Sequence, residues 1–144
     1  MTVRTANAGQ LVANLKRFGG EDIAINDPAS SSDIAETEAR LGIALSEQVR
    51  LFYQTCNGFT AQQRPLQVLP LASLRMEQNG LLPFAIFDNK HRLCFDTGGV
   101  NDAGQWNIVE PARTFIVTLT MASFWTIKIF AWLRDGRRIW ESDV

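Results

Sequence analysis

The sequence has few of the residues that most often carry catalytic, metal or disulfide chemistry. Its 144 residues include two cysteines, Cys56 and Cys94, and one histidine, His91. A structural zinc site needs four converging ligands, so this supply disfavours one. A chain of this length also buries enough surface to fold without a disulfide. We interpret both cysteines as free, buried thiols and expect no metal ion and no cofactor.

An excess of one charge and a long apolar run are also missing. The formal net charge is −1, whereas nucleic-acid-binding domains concentrate Lys and Arg, so we expect no nucleic-acid partner. The most apolar segment, 121–133, is too short to cross a bilayer and is interrupted by Ser123, Thr126 and Lys128. The N-terminus lacks the apolar stretch of a signal peptide. We expect a cytoplasmic protein without a membrane partner.

What is present suits one globular domain over 1–144. Apolar residues make up 46% of the chain, which favours a folded core over disorder. Apolar spacing predicts helices over 10–18, 33–41, 46–56 and 121–134, and strands over 66–69, 81–87, 91–95, 106–109 and 114–119. This order predicts an α+β fold, with a mainly antiparallel sheet packed by N-terminal helices and a C-terminal helix.

The second predicted helix has start and stop signals. Asp33 is expected to cap it, with Glu36 completing a reciprocal capping box. Glu36 and Arg40 are four residues apart, so we expect them to pair on the outer face. Gly42 is expected to end this helix, because glycine adopts the left-handed conformation at low cost.

The third predicted helix has the clearest apolar stripe in the chain. Ser46 is its expected N-cap, and Asn57-Gly58 is expected to end it. The stripe consists of Leu45, Val49, Phe52, Tyr53 and Cys56. These residues are therefore expected in the core.

Two constellations are compatible with a hydrolase. Cys56 or Cys94 with His91 would form a nucleophile and base, which requires hydrogen-bond reach and an orienting group. Asp88 and Asp96 bracket a predicted hairpin and would be candidates for paired carboxylates. Both cysteines lie in apolar patterns and Asp88 suits a turn, so we interpret these residues as structural and expect no catalytic residue.

Aromatic residues give the best indication of a binding surface. All four tryptophans lie in the last third of the chain, at Trp106, Trp125, Trp132 and Trp140. Tryptophan is a favoured anchor at protein interfaces. Trp106 lies in a glycine-rich loop and Trp140 in a polar tail, so we expect these two to be the least buried and to contact a partner.

A series of motifs runs in order along most of the chain. An acidic helix ends in Leu41-Gly42, and an aromatic helix ends in Asn57-Gly58. Later motifs are Leu82-Pro83-Phe84-Ala85, Leu93-Cys94-Phe95-Asp96 and Ala122-Ser123-Phe124. The series resembles the SUKH superfamily, whose members include Smi/Knr-type proteins. The resemblance implies a SUKH-like core over about 32–136, with an N-terminal helix and loop (1–31) and a tail (137–144).

The resemblance also implies a function. Bacterial members of the superfamily mostly act as immunity proteins, which bind and neutralise a cognate toxin, often a nuclease. Fungal relatives act as adaptors in cell-wall signalling, and neither role is catalytic. We therefore expect a non-enzymatic protein that binds a protein partner, with a cognate toxin as the first candidate. The alternative is a signalling or assembly adaptor of the same fold, and a hydrolase is the least favoured reading.

Two features bear on how a partner would bind. The turn at 88–91 departs from the glycine-bearing turn of the family, so Asp88 and His91 join Trp106 and Trp140 as predicted partner-binding residues. The C-terminal helix is apolar on most sides, so it lies either within the core or against a partner. We expect a monomer or a weak homodimer.

Overall fold

Along the chain, most strands follow an N-terminal group of helices and precede one C-terminal helix. The computed structural model describes residues 11–18, 23–111 and 115–138. The helices are α1 (11–18), α2 (Ser31–Leu41), α3 (Glu47–Thr55) and a C-terminal helix made of α4 (Met121–Ser123), a π turn (Phe124–Lys128) and α5 (Ile129–Asp135). The strands are β1 (Ala24–Ile25), β2 (Phe59–Ala61), β3 (Leu66–Val68), β4 (Leu81–Phe87), β5 (His91–Asp96), β6 (Asn107–Glu110) and β7 (Phe115–Thr118). Short 3₁₀ turns lie at Leu71–Ser73 and Gln78–Gly80.

The seven strands form one antiparallel sheet in which each strand pairs with the next along the chain. The connection from β1 to β2 contains α2 and α3, whereas the later strands are joined by loops and turns. The β4–β5 hairpin is the longest ladder of the sheet. At its tip, Asp88 and Asn89 have φ values of 55° and 60°, as a primed hairpin turn requires. The Lys90 amide closes the turn by donating to the Phe87 carbonyl at 3.1 Å. The α+β fold and the predicted hairpin are confirmed.

Aromatic rings fill the space between the sheet and the helices. Phe84 and Phe95 stack on neighbouring strands with ring centroids 3.9 Å apart, and Phe124 meets Phe84 edge-on. Trp125 stacks on Phe52 of α3 at 5.6 Å. Each such pair adds about 0.5–1.5 kcal/mol beyond the area it buries. The C-terminal helix therefore lies within the core, which decides between the two positions that its apolar sequence left open.

The N-terminus of α2 differs from the prediction. Ser30 is the N-cap: its Oγ accepts from the Asp33 amide at 3.0 Å, and its own amide donates to Asp33 Oδ2 at 3.0 Å. Asp33 as the cap was wrong, because Ser30 and Asp33 already have capping-box spacing and extend the helix by one turn. The Ser30 backbone amide, and secondarily its hydroxyl, lower the pKa of Asp33 by hydrogen bonding to its carboxylate. The box therefore stabilises α2 at neutral pH and weakens as the pH falls through that lowered pKa.

The predicted pair between Glu36 and Arg40 is also wrong. Arg40 donates to the backbone carbonyls of Leu71 and Leu74, at 2.8 and 2.6 Å. A charge-assisted bond to a partly buried carbonyl outweighs an exposed ion pair, which contributes only about 0.3–0.5 kcal/mol in a helix. The prediction of Gly42 as the end of α2 is confirmed by its φ of 76°.

The corner after α3 is held by backbone contacts that leave no space for a side chain. Ser46 is the N-cap of α3 as predicted, although its hydroxyl makes no capping hydrogen bond. Gly58 has a φ of 86°, and a Cβ there would lie 2.4 Å from the Val68 carbonyl oxygen. The Asn57 amide donates to the Asp27 carbonyl at 3.0 Å. The corner thus holds the end of α3 against the segment before α2 and against the end of β3.

Strands β1 and β2 were not predicted, because two and three residues are too few to show alternation. The predicted strand over 114–119 exists as β7 but ends at Thr118. Val117 is buried, whereas Leu119 is 54% exposed and so does not continue the buried face.

Replacing Gly58 with alanine should strongly destabilise the protein. The new methyl group would collide with the Val68 carbonyl while forcing a left-handed backbone, so we expect a loss of about 2 kcal/mol or more in the free energy of unfolding. The control is Gly99→Ala, where a Cβ meets nothing within 4 Å, with a change within about 0.5 kcal/mol. Urea denaturation measures both, and equal midpoints would contradict this description of the corner.

Candidate partner interface

The predicted partner-binding residues do not form one surface. Asp88 and His91 lie at the tip of the β4–β5 hairpin, and Trp106 precedes β6 at the other end of β5. A strand advances about 3.3 Å per residue, so these two ends are on the order of 15 Å apart. The same separation rules out Asp88 and Asp96 as paired carboxylates, because Asp96 ends β5 opposite Leu81. Trp140 lies outside the described residues.

The prediction that Trp106 is exposed was wrong. Its side chain is only 6% exposed and packs against the Phe95 ring with centroids 5.7 Å apart. A glycine-rich loop suggested an exposed ring, but the indole offers more apolar surface than the loop residues around it and is drawn into the core. Trp106 therefore anchors the loop before β6.

Asn101 organises the β5–β6 loop (97–106). Its side-chain oxygen accepts from the amides of Ala103 and Gln105, at 2.9 and 3.3 Å. Its side-chain nitrogen donates to Asn107 Oδ1 at 2.8 Å and to the Leu119 carbonyl at 2.6 Å. One side chain therefore shapes the loop and ties it to the end of β7.

Two glutamines join this loop to the helices. Gln105 is buried, and its Oε1 accepts from the Gln48 amide at 3.3 Å. The Gln48 side chain in turn accepts from the Ala122 amide at 2.8 Å, at the start of the C-terminal helix. These bonds satisfy amides at two helix N-termini, where intrahelical acceptors are missing. The loop is thus fixed relative to the helices as well as the sheet.

Three of the large hydrophobic side chains that are exposed in the described residues lie in this loop, on β7 or directly after β7. Large hydrophobic side chains are exposed there at Val100 (68%), Leu119 (54%) and Ile116 (52%). We call these three residues the edge patch, because β7 is the last strand of the sheet and Val100 adjoins the Asn101 contact to Leu119. The fourth such side chain in the described chain, Ile127, lies on the C-terminal helix.

The cysteines are poorly suited to catalysis. Both are buried, and burial raises the pKa of each thiol to about 11. A thiol with such a pKa is almost wholly protonated at neutral pH and is a weak nucleophile. Within the described ranges, no group of three or more His, Cys, Asp or Glu side chains is placed to hold a metal ion. None of the helices described is both long and apolar enough to span a membrane.

The motifs of α2, α3, β4, β5 and the start of the C-terminal helix now have positions in one fold. A family model described as the SMI1 / KNR4 family (SUKH-1) matches residues 28–126. The chain belongs to this family. The match extends from just before α2 into the π turn, and so includes the β5–β6 loop and β7. Comparison with curated proteins finds no match for this SMI1/KNR4 chain.

The family signature has a structural explanation in this chain. The Glu38 carboxylate of α2 accepts a hydrogen bond from the Leu45 amide at 2.7 Å and forms an ion pair with Arg50 at 3.3 Å. These two contacts hold the short corner between α2 and α3. Tyr53 is fully buried and donates to the Leu69 carbonyl at 2.8 Å. These residues of the two motif helices of the SMI1/KNR4 chain therefore build the scaffold. Sequence analysis did not single out the exposed apolar residues of the edge patch.

Replacing Asn101 with alanine should loosen the β5–β6 loop. The change removes the contacts to Leu119 and Asn107, so we expect about 1–2 kcal/mol less stability and faster amide hydrogen exchange over 97–106. Asp102→Ala, an exposed change in the same loop, is the control and should alter stability by at most about 0.5 kcal/mol. Unchanged exchange in Asn101→Ala would contradict this role.

Both thiols should react slowly in the folded protein. At pH 8 a thiol with a pKa of about 11 is roughly one part in a thousand thiolate, and burial further limits access. We expect iodoacetamide to label Cys56 and Cys94 at least about a hundredfold more slowly in the native state than in urea, measured by mass spectrometry. Rapid native labelling of either residue would restore the cysteine hydrolase as a candidate.

Proposed function

We propose that this protein is a non-enzymatic immunity protein that binds and neutralises a cognate toxin. Membership of the SMI1/KNR4 family supports a binding domain of the SUKH type. The observation that carries the proposal is the edge patch, where three large apolar side chains are exposed on β7, directly after it and in the β5–β6 loop. Together they give the partner a defined place to bind.

An edge strand with exposed apolar side chains favours association. Strand β7 pairs with β6 on one side, and no described strand lies on its other side. Such edges expose unpaired backbone groups and are usually shielded by charge, proline or a covering segment. Ile116 on β7 and Leu119 directly after it instead present apolar surface, which a bound partner would remove from water.

The rigidity of the β5–β6 loop supports the same proposal. Asn101, Gln105 and Trp106 fix the loop to the sheet, the helices and the core. A preordered loop loses little conformational entropy on binding, so more of the contact energy appears as affinity. Val100 is therefore held in place before a partner arrives.

The alternatives have less support. An adaptor that self-associates through the C-terminal helix would need that helix to present an apolar face. Most of its large apolar side chains, including Phe124 and Trp125, are buried instead, and Ile127 is the exposed exception. A hydrolase would need an activated nucleophile, and the raised pKa of each thiol argues against one.

The proposal is tested by co-expression with the toxin encoded beside this protein. We expect the protein to protect cells from that toxin and to co-purify with it as a stable complex. Isothermal titration calorimetry with purified partners should give a negative heat-capacity change, the sign of apolar burial. If none of the products of the neighbouring genes binds, the proposal fails.

Substitutions in the edge patch should weaken the complex without unfolding the protein. For the double variant Ile116→Ser, Leu119→Ser we expect at least about tenfold weaker toxin binding, because two apolar contacts are lost. Both side chains are more than half exposed already, so stability should change little.

The matched control is Ile127→Ser, which removes a side chain of 59% exposure outside the edge patch. It should bind like the wild type in the same calorimetric measurement. An unchanged affinity in the double variant, or an equal loss in the control, would show that the toxin binds elsewhere.

A further inference from the structure

Two arginines meet at one backbone oxygen on the side of α2. The Leu74 carbonyl accepts from Arg40 Nη1 at 2.6 Å and from Arg75 Nη1 at 2.9 Å. Arg40 also donates to the Leu71 carbonyl, and Arg75 to the Ala72 carbonyl at 2.8 Å. We call Arg40 and Arg75 the arginine pair. Its two positive charges are neighbours, although like charges repel.

No carboxylate in the described residues lies within ion-pair distance of these two charges. Ion pairs among the described residues include those of Arg50 with Glu38, Arg92 with Glu77 and Arg134 with Asp135, and none of them includes Arg40 or Arg75. The pair bonds only to neutral carbonyls, and each guanidinium has further N–H donors to offer. An incoming anion would relieve the repulsion and use those donors.

The arginine pair lines a groove of about 390 Å³ between α2 and the segment after β3. Thr37 and Asn57 contribute neutral polar groups to it, and Glu36 and Asp33 also line it. The groove is also well fixed, because the Leu71 amide donates to Asn57 Oδ1 at 2.8 Å and Leu74 is fully buried. The guanidinium groups are therefore held on a rigid support.

We infer that the arginine pair binds a carboxylate side chain of a protein partner. This inference rests on the proposed function and extends it, since it places a second, polar contact away from the edge patch. Paired guanidinium groups suit carboxylate and phosphate oxygens, which they bind through two parallel hydrogen bonds. The neighbouring acidic residues then decide between those ligands.

Glu36 favours a single carboxylate over a nucleic acid. It lies four residues before Arg40, about 6 Å along the helix axis. A polyanion that placed one phosphate on the arginine pair would bring the next toward Glu36 and Asp33, where like charges repel. A protein segment with one acidic side chain, and a polar or basic group beside it, meets no such conflict.

The first experiment uses the free protein and a defined probe. N-acetylglutamate amide, with one carboxylate, is titrated into the protein while NMR follows the arginine Nε–H signals. We expect saturable shifts at Arg40 and Arg75, at least about fivefold tighter than with the uncharged N-acetylglutamine amide. Arg75→Gln should abolish this difference, and Arg17→Gln, an exposed change on α1, should not.

Arg75 is the variant of choice because it bonds only to carbonyls of its own turn. Arg40 instead joins α2 to that turn, so its loss would also disturb the fold. In the second experiment, Arg75→Glu should weaken the toxin complex at least about tenfold, with Arg17→Gln within about twofold of the wild type. Arg75→Lys keeps the positive charge but not the planar guanidinium group that can donate two parallel hydrogen bonds. Its toxin affinity should therefore lie between those of Arg75→Glu and Arg17→Gln.

The outcomes separate this inference from the proposed function. If no toxin binds the wild type, the proposed function fails and the probe titration alone decides whether a carboxylate site exists. Equal binding of the two probes would overturn the site. Selective probe binding with unchanged toxin affinity in Arg75→Glu would overturn its assignment to the partner. Tighter binding of a single-stranded oligonucleotide at the arginine pair would overturn it in favour of nucleic acid.

Discussion

The Asn57-Gly58 corner is the constraint on which the rest of the structure depends. Gly58 brings the end of α3 so close to β3 that a Cβ would overlap the Val68 carbonyl oxygen. Asn57 adds hydrogen bonds to two other segments. Its side chain accepts from the Leu71 amide, and its carbonyl accepts from the Asn26 side chain at 2.8 Å. One corner thus sets where the helix pair, the first strands and the segment after β3 meet.

Both candidate binding surfaces derive from this arrangement. The segment held by Asn57 carries Leu71 and Leu74, whose carbonyls bring Arg40 and Arg75 together. The sheet continues from β3 to its last strand, β7, where the apolar side chain of Ile116 is exposed. The glutamine contacts between α3, the β5–β6 loop and the C-terminal helix fix the position of the edge patch relative to the helices. A rigid scaffold with two distinct surfaces suits a binding protein.

Much of the fold was predictable because its signals are local. The apolar stripe of α3, the glycine after α2 and the β4–β5 turn each depend on residues adjacent in sequence. Strands β1 and β2 are too short to show a period, and apolar spacing does not distinguish a π turn from a regular helix. For both, pairing or packing with distant segments fixes the geometry.

The candidate surfaces were harder to predict because they depend on tertiary contacts. Trp106 looked exposed in its loop, but the Phe95 ring provides it with a buried site. Leu119 fitted the alternation of a buried strand, yet the strand ends one residue earlier. Arg40 had an acidic neighbour one turn away, but carbonyls from a distant segment bind it instead. In each case a partner remote in sequence outweighed the local pattern.

The most direct test of the central claim is a titration of the toxin that we propose as the partner with this protein, followed by both toxin activity and toxin mass. Neutralisation by binding predicts that activity falls linearly to a plateau at one equivalent, and that the toxin is recovered chemically unchanged from the complex. Inactivation by far less than one equivalent, with a covalent change or cleavage of the toxin, would contradict a non-enzymatic role.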